Sequence, residues 1–299
     1  AQISFLTLDK FSPVLEFHND IDLLLTISSK SSIKRLWDFR QYICRNRYDI
    51  IFDLHNSLRS RIMTMFTNSS LYQLKKPRLN RLLLFYFHNN QFESFFSTTK
   101  MYHESLGSIG SNVIGKNLPK TKVRVTKNEI ESAMKFLVLK NVFDDYIVVI
   151  PGAAWKQKQW SPEKYAKLIN QLDVPAILIG SSRDKICSKI KKLSRNSIDL
   201  SGQTNLRRAM AIIANAKYII GSDTGLVHAA EALNKFVYMI LGPTSKETGA
   251  GLQLSKSKII EKDIWCRPCS QNGSFPCYRR EQYCMNSIEV QDILYSMKI

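Results

Sequence analysis

One stretch constrains the fold of this chain more than any other. The apolar run Tyr218-Ile219-Ile220 passes through Gly221-Ser222-Asp223-Thr224-Gly225-Leu226-Val227-His228 into Ala229-Ala230-Glu231-Ala232-Leu233. An apolar run, then small and polar residues, then a helix-forming sequence predicts a strand, a tight turn and a helix start. Small residues let the backbone approach a ligand, and the first N–H groups of the new helix have no partner within it and suit phosphate oxygens. Asp223 is expected to cap that helix. Thr224 and His228 lie four residues apart, so both are expected to project along one face toward the same ligand. The same octapeptide would also make an ordinary capped helix with a hydrogen-bonded histidine, and the rest of the chain has to decide between the two.

The second half repeats the pattern. Tyr146–Ile150 reads as a strand ending in the loop Pro151–Trp160, and Ser161-Pro162-Glu163 is a helix start by its serine, its proline and its early acidic residue. Tyr165, Leu168, Ile169 and Leu172 recur at helical spacing, followed by a strand at Ala176–Gly180, a helix from Asp184, a strand near Ile198–Leu200, a helix at Asn205–Ala214 and a strand at Phe236–Leu241. Strands alternating with helices imply a parallel sheet, here a Rossmann-like α/β domain.

The first half alternates as well, with strands at Ile3–Leu8, Leu23–Ile27 and Asp49–Leu54 and helices at Phe11–His18 and Ser32–Arg45. After an irregular connection over Gly107–Thr121 and a helix at Asn128–Lys140, a domain boundary is expected near residue 140, giving domains 1–140 and 141–299.

Open α/β sheets bind ligands at the carboxyl ends of their strands, so the loops there are the candidate sites. In the second half the loops Pro151–Lys158, Gly180–Asp184, Ser222–Gly225 and Gly242–Ser245 can together enclose a nucleotide diphosphate. Backbone N–H groups and Thr224 would meet phosphate, Lys158 would supply charge, and Asp184 would meet ribose hydroxyls. In the first half, the polar turn from His55 and Asn56 through Arg59 and Ser60 is a second candidate site, or a solvated basic loop. Neither a Walker-type Gly-x-x-x-x-Gly-Lys nor a Gly-x-Gly-x-x-Gly occurs, so neither an NTPase nor a dinucleotide fingerprint is supported.

The 43 Lys and Arg residues exceed the 25 Asp and Glu by enough to give a formal +18, which favours an anionic partner. No apolar run approaches the roughly 18 residues of a membrane-spanning helix. Lys75-Lys76-Pro77-Arg78-Leu79-Asn80-Arg81 runs into Leu82–Phe87, which reads as a core element with a solvated basic lead-in or as a segment touching an acidic lipid surface.

At this point the motifs carry a resemblance. Pro151-Gly152 with Lys158, Trp160 and Pro162, then Gly221-x-Asp223-Thr224-Gly225-x-x-His228-x-Ala230 and Gly242-Pro243-Thr244, resemble the ADP-heptose:lipopolysaccharide heptosyltransferase family over most of the chain. Tyr48–His55 and Leu58-Arg59-Ser60 are similar to that family's first half with less specificity. The resemblance implies a GT-B architecture, two Rossmann-like domains facing a central cleft. It implies inverting transfer of heptose from ADP-heptose, without a required cofactor, to an anionic lipopolysaccharide-core acceptor at the cytoplasmic face of the inner membrane. Membrane-surface contact is therefore expected and nucleic acid is not. Asp223, Thr224, Gly225 and His228 match its donor motif, Lys158 its phosphate-contacting lysine, and Thr244 lies in a matching loop. His55, Asn56, Arg59 and Ser60 fall on its acceptor side. Ala153 and Ala154 stand where some members have hydroxyl residues, leaving backbone N–H groups to meet the donor.

The family's expected catalytic base is an aspartate in a loop after a first strand. The sequence opens at Ala1, directly before what corresponds to the second strand, so that aspartate is expected upstream of Ala1. No residue is therefore assigned as base, and Asp53 is expected to orient rather than react. A longer product with a leading unit of about 25 to 35 residues is expected. A protein acceptor is the alternative within the family.

A reading from a different class rests on Cys266-x2-Cys269-x7-Cys277-x6-Cys284, a grouping able to bind tetrahedral zinc or iron, which with the positive charge would suit a metal-containing nucleic-acid-binding protein. Reduced structural thiols are a second reading of the same four residues, and disulfides a third that a cytoplasmic setting disfavours.

Overall fold

A computed structural model of the chain describes residues 1–93, 96–107, 109 and 119–298. Its central feature is a six-stranded parallel sheet built from β5 (Ile147–Ile150), β6 (Ala176–Leu178), β7 (Ser197–Asp199), β8 (Ile219–Ser222), β9 (Val237–Ile240) and β10 (Lys258–Ile260). The spatial order is β10-β9-β8-β5-β6-β7. From β5 the chain winds outward to β7, then returns to place β8 on the other side of β5 and winds outward again to β10. The order thus reverses between β5 and β8, and such a switch point opens a crevice at the carboxyl ends of the two strands.

β5 and β6 are apolar along their whole length because both faces are covered, while Ser197, Asp199, Ser222 and Lys258 place polar groups in β7, β8 and β10. Alternate residues divide between two cores. Ile147, Val149, Ala176, Leu178 and Ile220 face one, with α6 (Pro162–Ile169), α7 (Lys185–Leu193), α10 (Tyr283–Asn286) and α11 (Val290–Met297). Val148, Ile150, Ile177, Ile219 and Val237 face the other, with α5 (Lys127–Val138), α8 (Leu206–Asn215) and α9 (Gly225–Ala232). Helix starts follow local chemistry: Ser161, Thr126 and Asn205 each accept an N–H of the first turn on their side chains.

The first half is less well buried. Ala1 is exposed and stands just ahead of β1 (Ser4–Leu8), which pairs in parallel with β2 (Leu23–Ile27); β3 (Ile50–Asp53) pairs likewise with β4 (Ser70–Gln73), as a separate sheet. Ile27, Leu36 and Met63 form a small core beneath α1 (Ile33–Asn46) and α2 (Leu58–Thr64). Three expectations change here. The segment expected as a helix at Phe11–His18 is a 3-10 turn over Asp9–Val14, with Pro13 inside it and Phe17 in the left-handed region at φ 60°, which ends any helix. The polar turn after β3 is shorter than expected, because Ser57 caps α2 and Leu58–Arg61 are helical. The run Leu82–Phe87 belongs to a helix, α3 (Arg78–Phe87), that buries only Leu84. Residues 108 and 110–118 of the expected irregular connection lie outside the described residues; α4 (Thr98–Glu104) precedes them.

The halves meet through Arg207 of α8. Its guanidinium donates to both carboxylate oxygens of Glu129 at 2.7 and 2.6 Å and to the carbonyls of Pro13 and Glu16. Thr98 Oγ1 also donates to the Gly249 carbonyl at 2.8 Å.

Candidate active site

Three loops converge on one carboxylate at the switch point. Asp223 follows β8, Lys158 closes the 3-10 turn after β5, and Thr244 follows β9. Lys158 Nζ lies 2.7 Å from Asp223 Oδ2, Thr244 Oγ1 donates to the same oxygen at 2.9 Å, and His228 Nε2 is 3.2 Å from Oδ1. The side chains of Lys158 and Asp223 are only 13% and 12% exposed, so the pair is desolvated and its worth depends on geometry. Burial pushes the Asp223 carboxyl up, but the His228 hydrogen bond and the Lys158 ammonium outweigh it and hold the group below the usual carboxylate range.

Local structure explains why these residues meet. Gly221 brings β8 against β5 so closely that a Cβ there would lie 2.8 Å from both the Ile150 carbonyl oxygen and Val227 Cγ2. Two residues past Lys158, Trp160 is buried, stacks edge-on with Tyr165 at 4.9 Å and donates its indole N–H to the Ile288 carbonyl at 3.0 Å. The lysine is therefore carried on a loop pinned at its far end.

The expected capping role of Asp223 is not what the structure shows. Thr224 occupies the N-cap position of α9 without a side-chain cap bond, and Asp223 turns instead to Lys158, His228 and Thr244, because a desolvated carboxylate gains more from an ammonium than from an amide. The first turn is consequently left open. Val227 and His228 N–H groups reach the Thr224 carbonyl, Gly225 and Leu226 are the orphan positions, and nothing stands within 4 Å of where a Cβ on Gly225 would be. Thr224 Oγ1 and Ser245 Oγ are shielded from solvent without a hydrogen-bond partner among the described residues. Buried hydroxyls with no partner are rare enough to need an explanation, and an anion at this helix start would supply one.

Several other expected site residues have partners of their own within the fold. Asp184, expected on ribose, accepts from the Ser181 N–H at 2.6 Å and its hydroxyl at 2.8 Å, closing its own loop. Ala154 is exposed in the loop after β5, and the Ala153 carbonyl accepts from Gln159 at 3.3 Å. On the other side, buried Asp53 accepts from the backbone N–H groups of His55 (3.1 Å) and Asn56 (2.7 Å) and from the Ser60 hydroxyl (2.9 Å). Arg59 donates to the carbonyls of Ser28 and Ser29 at 2.7 and 2.8 Å. Ser60 and Arg59 thus shape the turn, and His55 is the member left exposed. Both oxygens of Asp53 are thus engaged in holding this turn.

The four tail cysteines do come together, lining one small cavity beside Gln157 and Pro243. As a metal site the grouping needs correction: among the described residues no group of three or more His, Cys, Asp or Glu is arranged to hold an ion. Two of the thiols are suited to staying neutral, since burial and the neighbouring cysteines push Cys269 up to about 11, and burial raises Cys284.

What the tail does hold is the site. Arg267 donates to the carbonyls of Gly242 (2.5 Å), Thr244 (3.2 Å) and Lys262 (2.7 Å) and to Glu261 (2.9 Å). Cys269 N–H donates to the Pro243 carbonyl at 3.2 Å. Gly273, at φ 81°, lies over the Lys158 stem, where a Cβ would stand 2.6 Å from Lys158 Cγ. Sequence reasoning misses Arg267 and Gly273 because the cysteines around them draw attention to metal chemistry. The usable signal is an arginine and a glycine placed in a tail that follows the last strand.

The fold and this site define a class. The chain belongs to glycosyltransferase family 9 (heptosyltransferase), whose sequence profile matches residues 36–278. It is similar to the lipooligosaccharide heptosyltransferase 2 of Haemophilus ducreyi, 36% identical over 122 residues, a match covering 37% of this chain and 34% of the relative. The aligned part therefore spans about a third of that curated relative's length. Among solved structures, the Escherichia coli ADP-heptose lipopolysaccharide heptosyltransferase II superposes with a TM-score of 0.71 at 20% identity, covering 100% of this chain and 88% of that one. The E. coli heptosyltransferase WaaC with ADP gives 0.63 at 15% identity, covering 99% and 87%. The fold is accordingly the α/β GT-B architecture, two Rossmann-like domains about a cleft. Family membership sets aside the nucleic-acid reading.

Proposed function

We propose that the protein is an inverting glycosyltransferase that moves heptose from ADP-heptose to an acceptor of the lipopolysaccharide inner core. The observation that carries this is the set Lys158, Asp223, Thr244 and His228 at an open helix start with the unpartnered Thr224 hydroxyl beside it. In such a reaction an acceptor hydroxyl displaces ADP from the anomeric carbon, and the departing diphosphate gathers negative charge. The described residues address that half of the chemistry. N–H groups at Gly225 and Leu226 and the Thr224 hydroxyl face the phosphates, and Lys158, held by Asp223, adds a cation in a desolvated setting where preorganised charge is effective. No metal is required by this scheme. The other half, removal of the acceptor proton, is assigned to no residue here.

Two features of relatives favour the donor: one solved neighbour carries ADP, and another carries ADP-2-deoxy-2-fluoro heptose. We place the donor in a domain from residue 141 onward and the acceptor against a domain of residues 1–140. We place the enzyme at the cytoplasmic face of the inner membrane; no helix among the described residues is long and apolar enough to cross one. The test is a transfer assay with ADP-heptose and three acceptors: heptose-free core lipid, core lipid carrying one heptose, and an unmodified protein substrate. Release of ADP with either lipid supports the reading and identifies the step. Release with the protein alone, or with none, overturns it.

A further inference from the structure

Helix α3 is held to the fold by buried Leu84 and turns its opposite side outward. On that side Leu79 is 67% exposed, Tyr86 66% exposed, and Leu82 also faces solvent. These three are spaced i, i+3 and i+7 and form a single stripe. The patch runs on beyond the helix. The ring of His88 stands 6.2 Å from that of Trp265, edge to face, and Trp265 is itself 69% exposed with the Arg279 guanidinium 5.5 Å from its ring. At the other end of the stripe Lys75, Lys76 and Arg78 lead into the helix, and among the described residues none of them forms an ion pair.

Apolar residues scattered singly over a surface mean little. A continuous helical stripe ending in a tryptophan and led by unneutralised cations is different. We propose that this face docks the protein on an anionic lipid bilayer, with Leu79, Leu82, Tyr86 and Trp265 entering the headgroup region and Lys75 and Lys76 against lipid phosphates. Charge selects this occupant. A second copy would bring together two chains that each carry a formal +18, whereas an anionic leaflet supplies the opposite sign. Shape agrees, since a short amphipathic helix with basic flanks and aromatic residues lies in the plane of the interface. The inference deepens the proposed function by naming the surface that meets the membrane, and it needs neither donor nor acceptor.

The test is sedimentation with vesicles of phosphatidylcholine alone and of phosphatidylcholine with phosphatidylglycerol. Wild-type protein is expected on the anionic vesicles and not on the neutral ones. Lys75→Gln and Lys76→Gln are each expected to lower partitioning about fivefold, and Leu79→Ser with Tyr86→Ser at least tenfold, with ADP affinity unchanged as the check on folding. Hydrogen exchange on the wild-type protein needs no variant and is expected to show residues 78–88 slowing when anionic vesicles are added. Equal binding to both vesicle types, wild-type partitioning by the variants, unchanged exchange over 78–88, or a dimer that slows those residues without lipid would each overturn the proposal. Failure of the wild-type protein to bind ADP would count against the donor site and leave this result standing.

Discussion

Arg267 illustrates how much of this site is built by residues that never face the cleft. Its fork spans the carbonyls of Gly242 and Thr244, and Thr244 in turn braces Asp223. Arg267→Lys keeps the positive charge near Glu261 but cannot bridge both carbonyls, because the planar fork is lost. We expect a destabilisation of about 1–3 kcal/mol and a drop in ADP affinity of about tenfold, read from melting temperature and calorimetric titration. A lysine variant with wild-type affinity would show that the loop holds itself. His228 is the second residue-scale case. It reaches Asp223 Oδ1 from a partly exposed position, 37% by side chain, so it is no core histidine. His228→Ala is expected to change stability by less than about 1 kcal/mol while lowering transfer tenfold or more, and a large fall in melting temperature with unchanged transfer would reverse that assignment.

At the scale of elements, the tail from Cys266 to Met285 behaves as a strap over the site. Gly273 passes close over the Lys158 stem, at a φ of 81° that a side chain adopts only with strain. Gly273→Ala combines backbone strain of about 1–3 kcal/mol with displacement of the Lys158 stem, so ADP affinity is expected to fall more than thermal stability would explain. Retained affinity in a destabilised variant would remove the strap from the account. The strands and most helices of the second half are legible in the sequence because β5 and β6 are buried on both faces and read as unbroken apolar runs, and because Ser161 and Asn205 cap their helices through side chains visible in the sequence. The site is legible in part. Lys158, Asp223, His228 and Thr244 lie at strand ends, where the pattern points, and they meet. Capping by Asp223 fails because local propensity favours an N-cap aspartate, and the long-range contact with Lys158 overrides it. The long-range partners of Arg59, the Ser28 and Ser29 carbonyls, are likewise not visible in the local pattern. Phe11–His18 departs from helix for a local reason, Pro13.

For the whole molecule, the link between the halves runs through Arg207, which reaches the Pro13 and Glu16 carbonyls while Glu129 holds its guanidinium. The Arg207 hydrogen bonds, with help from Thr126, outweigh burial and hold the Glu129 carboxyl at about 2, against 4.5 unperturbed. A carboxylate whose folded value is depressed stabilises the fold above its unfolded value and loses that contribution as pH falls toward the folded one. The melting-temperature gap between wild type and Glu129→Gln is therefore expected to be full at neutral pH, to shrink from about pH 4.5 downward and to close near pH 2. A gap independent of pH would mean that the pair contributes no charge-dependent stability. Asp223 has the same sign, so part of the acid lability of the wild-type protein is expected to persist in this variant. The switch-point cluster is expected to receive a nucleotide diphosphate, and as the cluster's cation Lys158 is the residue on which that binding depends most. Calorimetric titration of ADP into wild-type protein and Lys158→Met is predicted to show binding to the first and a loss of about 30- to 150-fold in the second, the equivalent of one charge-assisted contact of about 2–3 kcal/mol. Equal ADP affinity in a folded Lys158→Met protein, or no ADP binding by wild type, would contradict it.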